Sequence, residues 1–204
     1  MSARMEVRAM SSPRELEAAL HALGHPHRVP LSEWPGDLTG LDLPGLYAYW
    51  VNAAGAADLA CGLEAQVSAG RVYVGQAGGT QWPSGKRSRT TLRSRIGRNH
   101  LGGNIRGSTF RHTLAATLRV VLGIQADAER LLGDGEALLT EWIKEHLEVA
   151  VFPFEDRDAL NDLEINVLRR LDPPLNLNHV IRTDVRRRLS AIRRMLRRSL
   201  KGQE

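Results

Sequence analysis

A single cysteine, Cys61, stands in the 204 residues of this chain, which excludes an internal disulfide and any cysteine-built zinc cage and fits a reducing compartment. The opening stretch MSARMEVRAMSSPRELE carries no apolar run of signal-peptide length, and no later stretch is apolar enough to span a bilayer. The sequence therefore predicts a cytoplasmic protein, nucleoid-associated if prokaryotic, with no membrane partner. No internal repeat is present. Aromatic residues make up 5% of the chain, so a tyrosine placed inside a short strand calls for a reason. Acid is missing altogether from residues 84–111.

That acid-free stretch holds eight Lys and Arg, and residues 182–204 hold nine against two acids. The chain as a whole carries +5, so what lies outside these two stretches is net acidic. Basic charge confined to two places is the footprint expected for a polyanion, here nucleic acid. Lys86, Arg87, Arg89, Arg93, Arg98, Arg187, Arg194 and Arg198 are the candidate contacts. Hydrophobic residues at 42% and charged ones at 25% otherwise describe an ordinary globular chain, long enough to bury a core unaided.

Residues 12–24, SPRELEAALHALG, open with a capping box: Ser12 at the cap, Pro13 in the first turn, Glu15 three residues on, and Gly24 to close. The prolines and glycines of residues 25–44 predict an irregular link, pinned to the core by Trp34. Short strands are expected at 45–51 (GLYAYWV) and 71–75, with a partly helical insert between them. Helices follow at about 90–101, 108–122 and 137–147, separated by glycine-rich and polar links, the last of them (DAERLLGDGE) mobile. A third strand is expected over 147–154. Asp156 then caps a helix running to about Leu171, which Pro173 and Pro174 end. The last helix, about 184–200, shows an aliphatic stripe of Val185, Leu189, Ile192 and Leu196 among its arginines. This order predicts an α+β fold with a small mixed or antiparallel sheet flanked by helices. It divides into an arm and linker (1–44), a central domain (45–180) and a basic C-terminal helix (181–204). Trp34, Trp50, Trp82 and Trp142 read as core or rim packing.

Gly45-Leu46-Tyr47 on one strand, Tyr73-Val74-Gly75 on the next, Arg95 on the following helix, Glu164 on a later helix and Asn176 beyond the Pro-Pro break form an ordered set. This set resembles the GIY-YIG nuclease superfamily over about Gly45 to His179. Its last part, LEINVLRRLDPPLN, resembles the corresponding segment of excision-repair nucleases in that superfamily. The resemblance implies neighbouring tyrosine strands facing one site. Tyr47 would position or deprotonate a water, although a phenol with a pKa of about 10 needs a nearby cation to do so. Tyr73 would support it by hydrogen bonding, and Gly75 would end its strand and let the backbone approach the substrate closely. Arg95 would fork onto phosphate oxygens. Glu164 would hold one Mg²⁺ or Mn²⁺ per active site, and Asn176 would order the site.

Several positions depart from the superfamily pattern. Many members carry His or Tyr four residues after the arginine; Asn99 stands there and His100 one further, so either the helix is distorted near Gly97 or His100 arrives from a shifted register. Gln76 stands where some members have lysine. The insert between the tyrosine strands is long, as in some restriction enzymes of the superfamily. Arg93 rivals Arg95, which is preferred because Ile96 follows it; Asn178 could replace Asn176. The resulting expectation is a metal-dependent DNA endonuclease, restriction or mobile-element linked. A non-catalytic DNA-binding or assembly module and a structure-selective repair nuclease stand as alternatives. A homodimer through the stripe of the last helix is one way to cut both strands.

Overall fold

The computed structural model describes residues 11–24, 27–81, 84–127 and 130–199; the side chains of residues 127, 198 and 199 are outside the description. Trp82 and the side chain of Arg198 therefore lie outside the described residues. The fold is α+β, built on a four-stranded antiparallel sheet in the order β1-β8-β2-β3. Its strands are β1 (Val29–Pro30), β2 (Gly45–Val51), β3 (Gly70–Ala77) and β8 (Leu147–Pro153). Two short ribbons, β4 (Thr80–Gln81) with β5 (Lys86–Arg87) and β6 (Ala126–Asp127) with β7 (Arg130–Leu131), stand apart from it. The second ribbon occupies the stretch expected to be a mobile link.

GLYAYWV is apolar almost throughout because β2 is an inner strand, paired along both edges and covered on both faces. Side chains alternate between the faces. Tyr47, Tyr49 and Val51 point to one side, where the core is shared with α2 (Ala53–Leu63), α3 (Thr109–Leu118), α4 (Gly135–His146) and α6 (Asp184–Ser199). Leu46, Ala48 and Val74 point to the other, against α1 (Pro13–Gly24) and α5 (Leu160–Leu171). The capping box of α1 is formed: Glu15 N–H donates to Ser12 Oγ (3.2 Å) and Ser12 N–H to Glu15 Oε2 (2.6 Å).

Two sequence expectations are corrected here. The stretch 25–44 is not irregular throughout, since Val29 and Pro30 pair with Val149 and Glu148 at the sheet edge, where a proline costs no ladder bond. The aliphatic stripe of α6 is not a free dimer surface. Leu189 and Leu196 are fully buried in the main core, chiefly against α3, with Val185 and Ile192 packed alongside.

Two buried arginines from the basic stretches are consumed by the fold. Arg111 is 0% exposed, pairs with Glu136 (2.5 Å) and donates to the carbonyl of His100 (2.9 Å), tying the segment before α3 to α4. Arg186 pairs with Asp172 (2.8 Å) and donates to the carbonyls of Pro173, Asn176 and Ile181, closing the loop after α5 onto α6.

Candidate active site

Ser94–Leu101, SRIGRNHL, is a π-helix. An added residue in a helix is absorbed as one wide turn, with hydrogen bonds from i+5 instead of i+4; the Gly102 amide donating to the Gly97 carbonyl (2.9 Å) is one of them. Gly97 faces the Trp34 indole, where a Cβ would stand 3.1 Å from Nε1. The wide turn decides between Asn99 and His100. It brings His100, five residues after Arg95, into the core side of the helix, 2% exposed. There its Nδ1 lies 2.7 Å from the Tyr49 hydroxyl and its ring meets Tyr47 edge-on at 5.4 Å between centroids. The ordered motif does not include Tyr49, although standing two residues after Tyr47 puts it on the same strand face. It stacks on Phe110 at 4.4 Å and is the anchor of the aromatic cluster.

Tyr47 pairs with Gly75 across the β2–β3 ladder, and Tyr49 with Tyr73. Gly75 does not end its strand, which continues to Ala77. It is bare because the Tyr47 ring lies over it: a Cβ would come within 2.6 Å of the ring carbon bearing the hydroxyl and 3.1 Å of Tyr73. Tyr47 and Tyr73 sit 6.4 Å apart between ring centroids. Burial raises both phenols, Tyr47 well above the ordinary value and Tyr73 to about 12. Neighbouring phenols and Glu164 push Tyr47 further up and Glu164 pushes Tyr73, while Arg95 opposes both rises and Arg193 and a hydrogen bond with Tyr47 also hold Tyr73 down. Burial, then Arg95 and Arg111, holds His100 well below the usual histidine range, so it is neutral.

Glu164 on α5 is pushed up to about 7, by burial first, against a hydrogen bond from Gln76 Nε2 (2.9 Å) and the nearby Arg95 cation. Arg95 thus acts electrostatically on Tyr47, Tyr49, Tyr73, His100 and Glu164 together, and its own Nε is buried with no partner among the described residues. Arg93 does not compete, since it pairs with Asp42 (2.8 Å) on the exposed surface. Arg95, Gln76, Asn161 and Glu164 line a cleft of about 530 Å³ with the Gly78-Gly79 backbone. A second cleft of about 460 Å³ adjoins it, with Glu164 and His179 on the wall of both.

Asn176 is 8% exposed and pairs with β3 as another strand would: Oδ1 accepts from Val74 N–H (2.9 Å) and Nδ2 donates to Val74 O (2.8 Å). It fixes the edge strand that carries Tyr73 and also lines the second cleft. Asn178 lines the second cleft.

A family model of the GIY-YIG catalytic domain matches residues 45–195, more than half of the chain. This chain belongs to the GIY-YIG family. The match ends inside α6, the helix whose Leu189 and Leu196 complete the core. No curated protein and no solved structure matches the chain.

The expected basic contacts of this GIY-YIG domain are distributed over the surface. Lys86, Arg89, Arg98 and Arg194 are exposed; Arg87 pairs with Asp158 (2.8 Å) and Arg187 with Asp184 (3.1 Å). None of these lines either cleft. Arg193 and Arg197, which charge alone does not distinguish from their neighbours, do. The two clefts are lined by one carboxylate, Glu164, and no group of three or more His, Cys, Asp or Glu that could hold a metal ion converges among the described residues. Beside Glu164 stands Gln76, whose Oε1 is buried without a partner. A single carboxylate with a spare amide oxygen is a hard-oxygen donor set, which fits a small divalent ion that keeps most of its waters.

Proposed function

We propose that this GIY-YIG domain is a metal-dependent endonuclease hydrolysing DNA phosphodiester bonds in the cleft between β3, the π-helix and α5. The observation that carries the reading is the convergence of Tyr47, Tyr73, Arg95 and Glu164, from four separate elements, within mutual electrostatic reach. Arg95 supplies a permanent charge and a planar set of donors for the phosphate oxygens, its unpartnered Nε being the donor held ready. Tyr47 keeps its proton at neutral pH in this environment, so its first task is to orient the attacking water through its hydroxyl; Tyr73 holds Tyr47 from the neighbouring strand. Glu164, once deprotonated, would hold Mg²⁺ or Mn²⁺ with Gln76 beside it. When bound, that ion supplies Lewis-acid stabilisation of charge developing on the phosphate. His100 and Asn176 are positioning residues, the first through Tyr49 and the second through β3.

The test is incubation of supercoiled plasmid with Mg²⁺ or Mn²⁺, wild type beside Glu164→Gln. Nicking or linearisation by the wild type, lost by at least a hundredfold in the variant while DNA binding persists, is the expected outcome. Discrete bands support a restriction or mobile-element role, and preference for nicked or flapped substrates supports repair. Binding by both proteins with cleavage by neither leaves a DNA-binding module and overturns the enzyme.

A further inference from the structure

The second cleft is bounded by α3, α5, the loop of residues 175–179 and α6. Its α6 wall is Arg193 and Arg197, one helical turn apart. Among the described residues neither has an ion-pair partner, and Arg193 Nε is buried without a hydrogen bond. Behind them His112, 8% exposed on α3, has both ring nitrogens buried and unpartnered. Two adjacent guanidinium groups stand over an unpartnered histidine, and the one carboxylate on the cleft wall, Glu164, forms an ion pair with neither, so the positive charge is not fully balanced from within. Burial and then the two arginines hold His112 down at about 4, and burial and then Arg197 lower Arg193. Elsewhere in the basic stretches Arg93, Arg111, Arg186 and Arg187 each have a carboxylate. The charge at this cleft is left for an anion.

We propose that Arg193 and Arg197 form a phosphate subsite beside the Glu164 cleft, which seats a backbone phosphate of the strand next to the one being cut. This rests on the nuclease reading above and deepens it. Because Glu164 and Tyr73 border the subsite, a phosphate seated there holds its strand beside the catalytic cleft that Arg95 lines. A phosphate inside a continuous strand and a terminal phosphate at a nick present the same chemistry to two guanidinium groups.

The measurement is equilibrium binding of a short nicked DNA duplex over a salt series, with divalent ions chelated so that cleavage plays no part. The nick carries either a 5′-phosphate or a 5′-hydroxyl. Arg193→Gln and Arg197→Gln are expected to weaken binding about tenfold each and to flatten the log–log salt slope by about one. Arg194→Gln, the same charge change on exposed helix surface, is expected to cost about threefold or less. Arg193→Lys, which keeps the charge and the packing stem, is expected to recover the salt slope, and thermal melts show that each variant is folded. A loss seen for both kinds of nick assigns the subsite to an internal phosphate; a loss seen only with the 5′-phosphate assigns it to a strand end. Losses at Arg193 and Arg197 no greater than at Arg194 overturn the subsite and leave the nuclease reading standing. Absence of DNA binding by the wild type overturns both.

Discussion

At the scale of single residues, the site combines groups held out of their ordinary protonation states. Glu164 has a folded pKa of about 7 against an ordinary 4.5. Between those values the folded protein keeps a proton that the unfolded chain has lost, so stability falls as pH rises through that window and stays low above it. Metal-free Glu164→Gln is therefore expected to match the wild type in thermal melts at pH 4 and to exceed it by about 2–3 kcal/mol at pH 8. Parallel stability curves for the two proteins would remove burial as the cause. In the proposed metal role of Glu164 the same proton would compete with the ion, and cleavage is then expected to rise with pH through about 7. His100 has the opposite sign. Its folded pKa lies below the unfolded one, so it stabilises the fold above about 6.5 and that contribution is lost as pH falls. Neutral His100 shares a proton with Tyr49 across 2.7 Å in a buried setting. Removing one partner alone strands the other: Tyr49→Phe and His100→Leu are each expected to cost about 1–3 kcal/mol, and the double variant less than their sum by about 1 kcal/mol. Strict additivity in that cycle is the result against it.

At the scale of elements, the π-helix is the feature that makes the departures from the family pattern intelligible. Arg95 and His100 are five apart in sequence yet serve one site, because the wide turn absorbs the added residue. Deleting Asn99 converts the turn to an ordinary α-turn and leaves both side chains in phase. The deletion is expected to keep the fold, with a Tm no lower than wild type, and to keep cleavage within about tenfold. Loss of the folded state on deletion would show that the wide turn is required by its packing rather than tolerated. The strands and most helices were legible in the sequence, because β2 is a continuous apolar run and α1 carries its own capping box. The π-helix was not, since it has no hydrophobic period of its own; the misplaced His100 was its only sign. Nor was β1 legible: two residues containing a proline become a strand only because β8 offers an edge. Tyr47, Tyr73, Arg95 and Glu164 could be picked out because each occupies a fixed place in an ordered pattern. The partner of Asn176 could not, because pairing with Val74 lies 102 positions away in the chain.

At the scale of the whole molecule, the two basic stretches have three different destinies that charge counting alone merges. Arg111 and Arg186 are internal fasteners, Arg193 and Arg197 border the cleft, and Lys86, Arg89, Arg98 and Arg194 face solvent. Solvent-facing cations add affinity that salt screens away, whereas internal ones hold the shape that brings Glu164 to Arg95. α6 belongs to both categories. Its arginines could be taken for a detachable basic tail, yet Leu189 and Leu196 are fully buried and Arg186 closes the loop bearing Asn176. Removal of residues 184–204 exposes two buried leucines, each worth about 2–3 kcal/mol of burial, and leaves four loop carbonyls of Asp172, Pro173, Asn176 and Ile181 without their common donor. Those losses together are comparable to the whole stability of an ordinary domain. The truncated chain is expected to lose its cooperative thermal transition, whereas Arg187→Gln with Arg194→Gln in the full chain is expected to keep the Tm within about 2 °C and only to weaken DNA binding at low salt. A truncated chain that melts cooperatively near the full-length Tm would make α6 an appendage. A loss of the transition makes it the closing element of the catalytic domain.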